Sequence, residues 1–202
     1  MINSREKWQM QVTAEHYARE RFANPRARGR DLRLIEELLS RFAPASIDRL
    51  VDVPCGTGRL ALGLSNHCKR YLGADISLAM LGEFAAPSLL GDAAALPLQT
   101  ESADVVVSCR LLHHLEPNKE LLSVAAELVR VSKHLVVASF WDSNSWPGLR
   151  RTRGWRRDST GRRPASRAVI EDAFQSAGGK VVGYASSFRF VSMQTFVAVT
   201  KV

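Results

Sequence analysis

Asp52, Gly56, Gly58, Asp75 and Asp92 are residues whose types and order suit the binding of a ligand. Gly56 and Gly58 flank Thr57, where the apolar run Leu50 to Val53 gives way to Leu60, Leu62 and Leu64, the expected start of a helix. Glycine lets a ligand approach bare backbone, and a helix start offers unpaired N–H groups to an anion. Asp75 closes the next strand-like run, where a carboxylate can accept hydrogen bonds from two ribose hydroxyls. Asp92 follows a third apolar run and can accept from the amino group of a base. Each acid alone reads as a cap or a solvated loop residue. In this order, at one edge of a sheet, they read as a nucleoside site. His113 and His114 follow a fourth run and offer neutral imidazoles for proton transfer near pH 7. Packing beneath a ligand is the competing reading of both. Asp142, past a fifth run, is a further candidate base and otherwise a plain turn residue.

These residues need elements to hold them. Residues 5–42 read as amphipathic helix, interrupted at Asn24-Pro25, with Leu32, Ile35, Leu38, Leu39 and Phe42 on one stripe. Strands are expected at 49–53, 70–74, 88–90, 104–109 and 135–140. The fourth is mostly β-branched and so expected at the buried centre. Helices are expected from Leu60, over 77–84 with Ser77 as N-cap, and over 118–130 with Leu121, Leu122, Ala125, Leu128 and Val129 inward. The alternation predicts an α/β, Rossmann-like doubly wound sheet with its ligand at the carboxyl edge of the strands. Residues 141–167 read as irregular, and a last helix stops at Gly178-Gly179. Two antiparallel strands are expected at 181–190 and 194–201.

Composition narrows the classes further. The 202 residues fit a single domain: a helical cap at 1–44, a core at 48–140, an insert at 141–167, and the last helix and strand pair at 168–202. No apolar run reaches the roughly 20 residues of a membrane helix. The first residues mix charges without an apolar stretch, so no secretory signal is expected. Cys55, Cys68 and Cys109 are odd in number and widely spaced, which suggests free thiols in a reducing cytoplasm. Adjacent His113 and His114 lack the i, i+4 spacing of a helical metal pair, so no metal is expected. The net charge is +8, and residues 150–167 carry +7 of it: eight arginines against Asp158.

Asp52-Val53-Pro54-Cys55-Gly56-Thr57-Gly58, with Asp75, Asp92 and the closing strand pair, resembles the class I S-adenosylmethionine (SAM) dependent methyltransferases, closest to the type 11 subgroup. The resemblance covers about residues 48–140. It implies SAM as cofactor, contacted by Asp52, Pro54, Cys55, Gly56, Gly58, Asp75, Ile76, Asp92, Ala93 and Arg110. Pro54 stands where many members have glycine; it lacks an N–H donor and fixes φ. A nicotinamide dinucleotide site would use the same glycines and Asp75. It lacks the third glycine of G-x-G-x-x-G and leaves Asp92 and the strand pair unexplained.

The resemblance does not name the methyl acceptor. His113 and His114 stand where a base would serve a hydroxyl. Tyr17, Arg26, Arg28 and Arg30 on the first helices, and Trp146, Arg153 and Trp155 in the insert, are candidates for acceptor recognition. Arginine forks bind phosphate or carboxylate, and tryptophan stacks on rings. An anionic small molecule or glycan, such as an envelope sugar methylated on oxygen, fits these residues. RNA bound by the basic segment is the first alternative. A non-catalytic protein of the same fold is the second. The oligomeric state stays open.

Overall fold

The computed structural model describes residues 25–116, 119–152, 162–188 and 191–202. Helix α1 (Pro25–Phe42) starts on a proline, whose missing N–H costs nothing in a first helical turn. Strand β1 (Arg49–Asp52) follows, then α2 (Ala61–Ser65), β2 (Arg70–Asp75), α3 (Leu78–Gly82), β3 (Ser88–Leu90) and β4 (Ala103–Ser108). A single 3-10 turn, Leu112–His114, precedes α4 (Lys119–Val131) and β5 (Ser132–Trp141). Helix α5 (Trp146–Thr152), α6 (Arg167–Ser176), β6 (Gly179–Ala185) and β7 (Gln194–Lys201) complete the order.

The seven strands form one sheet in the order β3-β2-β1-β4-β5-β7-β6. The first five are parallel, and β7 runs antiparallel between β5 and β6. The β-branched fourth strand sits at the centre, as its composition predicts. Its side chains alternate between two cores. Val105 and Val107 face α1 and α2 with Ile35, Leu38 and Leu64, and Val106 faces α4 and α6 with Leu128, Ile170 and Phe174. Each such buried aliphatic side chain contributes about 1.5–3 kcal/mol. Among the described residues, no helix is long and apolar enough to cross a membrane.

Several expectations need correction. Leu62 is exposed, because α2 is little more than one turn: Leu60 and Leu64, four apart, point inward, and the residue between them points out. Leu122 is 44% exposed, and Val124 takes its place in the stripe Leu121, Val124, Ala125 and Leu128. The stretch 141–167 is not wholly irregular, since it contains α5. Strand β6 begins at Gly179, directly after Gly178 at φ +80, and ends at Ala185, the last residue with a partner on β7. Of the earlier region, residues 5–24 lie outside the described residues.

Candidate functional site

The parallel strands end on a cavity of about 620 Å³. The turn after β1 forms its floor. Gly56 and Gly58 sit at φ +56 and +83, conformations that cost any other residue energy. Open space lies where a Cβ of Gly56 would stand, whereas a Cβ on Gly58 would run into the Phe84 ring. Gly56 lines the cavity and Gly58 does not. Gly58 is therefore a turn glycine packed against Phe84. Pro54, Cys55, Ile76 and Ala93 all line the cavity.

The acids meet there. Asp52, 1% exposed, accepts a hydrogen bond from the Tyr71 hydroxyl at 2.9 Å on Oδ2. Its Oδ1 is buried without a partner among the described residues. Burial pushes the Asp52 carboxyl up to about 7, against the pull of Tyr71 and Arg59 and with a push from Asp75. Asp75 accepts the Gly56 N–H at 2.8 Å and the Ser77 N–H at 2.9 Å, so the β2 acid also fixes the glycine turn. Burial raises its carboxyl and these N–H groups draw it back. Ser77 caps α3, its Oγ accepting the Met80 N–H. Asp92 is half-buried, and its Oδ1 accepts the Ala94 N–H at 3.0 Å in the loop after β3.

Across the cavity, beyond β4 and β5, stands an aromatic and cationic wall. The buried His113 ring stacks on Trp141 with centroids 4.5 Å apart and planes 3° from parallel. His114 lies against His113 at 4.4 Å, and the Arg162 guanidinium stands 5.5 Å from the Trp141 ring. The end of the arginine-rich segment is tied to the same loop. The Arg163 N–H donates to the His113 carbonyl at 2.8 Å, and its guanidinium pairs with Glu116 at 3.0 Å. All these residues line the cavity.

Other candidates fall elsewhere. Arg30 and Trp146 are exposed and lie off the cavity lining; each sits on the solvent side of its helix. Asp142 is held by Arg167 Nε at 3.0 Å and caps the Asn144 N–H at 2.9 Å, so it anchors a turn instead of meeting a ligand. Tyr17, Arg153 and Trp155, and the side chains of Arg26 and Arg28, lie outside the described residues.

The sequence reading missed Asp31, Arg59, Trp141 and Arg162. Asp31 is 1% exposed on α1 and pairs with Arg59 at 2.9 Å and Arg110 at 2.8 Å. Its signal was present: Asp31, Ile35 and Leu38 are i, i+4 and i+7 on one stripe, an acid in line with core residues. Arg110 itself lines the cavity.

Five parallel strands, a reversed seventh strand and successive acids at the carboxyl ends make a doubly wound α/β fold with a polar cavity at its strand ends. The polar complement fits SAM: a buried orphan carboxylate oxygen on Asp52, room above Gly56, and acids after β2 and β3. Residues 51–137 match the family model described as a methyltransferase domain. Solved structures agree in fold. A SAM-dependent methyltransferase of Thermotoga maritima is 19% identical, with 95% of this chain and 97% of that chain covered and a TM-score of 0.72. One from Clostridium acetobutylicum is 14% identical, with 93% and 97% covered and a TM-score of 0.67. The magnesium protoporphyrin IX methyltransferase of Synechocystis, with bound S-adenosylhomocysteine, is 18% identical, with 85% and 81% covered and a TM-score of 0.63. No curated protein matches the chain in sequence. Residues 51–137 thus match a methyltransferase domain, the chain has the fold of SAM-dependent methyltransferases, and SAM is the cofactor that the site fits.

Proposed function

We propose that this enzyme, working in the cytoplasm as one domain, methylates an oxygen of an anionic small molecule or glycan. The observation that supports this reading is the continuity of the cavity from the acids of β1 to β3 to the His113, His114, Trp141 and Arg162 wall. Asp75 takes the ribose hydroxyls, Asp92 with Ala93 the adenine edge, and Asp52 the α-ammonium. Pro54, Cys55, Gly56 and Ile76 form the walls between these groups, and Gly58 holds the turn.

SAM supplies a methyl group on a sulfonium, and the displacement itself is the cofactor's chemistry. The chain's part is alignment, exclusion of water and placement of charge. Trp141 and His113, stacked on one another, form a rigid edge against which the acceptor lies. Arg162 and Arg163 bring guanidinium groups to that edge, suited to a carboxylate or phosphate on the acceptor. His114, half-buried on the lining, is placed to take the hydroxyl proton as the methyl–oxygen bond forms.

The test is methyl transfer from labelled SAM into a bacterial envelope glycan extract and, in parallel, into total RNA. Label in the glycan fraction, with Arg162→Gln raising KM about tenfold as expected for one lost charge-assisted contact, supports the reading. Label only in RNA moves the assignment to an RNA methyltransferase.

A further inference from the structure

Asp31 has no place in the function proposed above, yet it is the most deeply buried acid of helix α1 and it faces the cofactor cavity from behind. It joins three separate parts of the chain. Arg59 begins the segment after the glycine turn, Arg110 follows β4, and Asp31 comes from α1. Its Oδ2 forms an ion pair with Arg59 Nη2 at 2.9 Å and accepts a hydrogen bond from Arg110 Nε at 2.8 Å. Both arginines line the cavity and Asp31 does not. The carboxylate is therefore a backing for two guanidinium groups presented forward.

Arg110 is also held through its backbone. It sits at φ +66, a left-handed conformation that strains a residue bearing a side chain. Its N–H donates to Ser139 Oγ on β5 at 2.7 Å, which fixes that conformation. A strained backbone and a buried counter-ion on one arginine mark a side chain whose aim matters. Guanidinium forks match carboxylates in plane and spacing. The cofactor places a carboxylate beside its α-ammonium, and Arg59 stands close enough to Asp52 for its charge to pull on that carboxyl.

We propose that Asp31 is a positioning residue for the amino-acid end of the cofactor: it holds Arg59 and Arg110 as a cradle for the cofactor's carboxylate and so makes helix α1 part of the cofactor site. This rests on the cofactor lying with its methionine end over the β1 turn, as proposed above. The cradle reads the carboxylate only, so a nucleoside thioether lacking the amino-acid tail escapes it.

Calorimetric titration with S-adenosylhomocysteine and with methylthioadenosine, which lacks that tail, separates these effects. Asp31→Asn is expected to weaken S-adenosylhomocysteine about tenfold or more and to leave methylthioadenosine within about twofold, the loss of one charge-assisted contact. Asp31→Glu, which restores the charge, should recover part of the difference. Methylthioadenosine binding doubles as the proof that the variant is folded. Should Asp31→Asn fail to fold, Arg110→Gln, altered at a partly exposed side chain, must show the same split. Equal loss for both ligands, or none for S-adenosylhomocysteine, overturns the inference while leaving the cofactor reading intact. A parent protein that binds neither ligand overturns the cofactor reading and this inference with it.

Discussion

Asp52 is the residue whose chemistry is most constrained by its surroundings. Its carboxyl is pushed up to about 7 by burial, with one oxygen bonded to Tyr71 and the other without a partner among the described residues. The native fold therefore prefers the neutral acid, whereas the proposed pairing with an α-ammonium needs the carboxylate. Two consequences have opposite signs. In the unliganded protein the group favours folding below its ordinary pKa of 3.8, and this contribution is lost as pH rises to about 7. In the complex, binding must expel a proton below about pH 7. Affinity for S-adenosylhomocysteine should therefore fall up to tenfold per pH unit below that point and level off above it. Asp52→Asn removes the slope and binds more weakly at pH 8 than the parent. Calorimetry in buffers of differing ionisation enthalpy measures the released proton directly. A parent affinity that stays flat from about pH 5.5 to 8 would rule the pairing out. Nothing in the sequence announces this shift: Asp52 reads as a strand-end acid, and the hydroxyl of Tyr71, nineteen positions along, reaches it only once β1 and β2 pair with Tyr71 opposite Leu50.

At the scale of elements, periodicity was legible wherever an element was long enough to average over. The succession of strands and helices, the buried fourth strand, the Ser77 cap and the closing strand pair all follow from apolar runs and breakers. Misreadings fall where neighbours of like character compete for one face. In α4, Leu121 and Leu122 are adjacent and 100° apart, so only one can lie in the stripe with Ala125 and Leu128. The choice of Leu121 is made by the sheet beneath it, through Val106 and Val136. This distinction is measurable. Leu122→Glu should change stability by no more than about 0.5 kcal/mol, whereas Leu128→Ala, leaving a cavity at a fully buried position, should cost about 2–5 kcal/mol. Urea midpoints for the two variants check both, and a Leu122→Glu loss as large as that of Leu128→Ala would refute the assignment of faces. The site shows the same division. The acids were legible because each ends a run. Trp141, Arg162 and Asp31 were not, because what brings them to the cavity is the strand order and the docking of α1, neither of which is written locally.

The whole molecule is basic through one segment, and that fact can be turned into a measurement. Residues 150–167 carry +7 of the chain's +8, and the described end of the segment, Arg162 and Arg163, is folded against the cavity by a backbone bond to His113 and an ion pair to Glu116. Two uses of that charge predict different salt responses. An extended nucleic acid tracked by all seven charges releases a counter-ion at each, and its affinity falls by about a thousandfold or more between 50 and 200 mM salt. A small anion held by the two arginines at the cavity releases few, and a charge number of about two gives only about a tenfold change over the same range. The proposed function therefore predicts an acceptor KM that rises by no more than about tenfold across it, measured with the unmethylated form of the labelled fraction as substrate. A steeper dependence that persists in an Arg162→Gln, Arg163→Gln double variant would move the charge's partner away from the cavity and onto an extended polyanion. With the parent steep and the double variant shallow, by contrast, the partner is the cavity's own anion, reinforced by its neighbours along the segment.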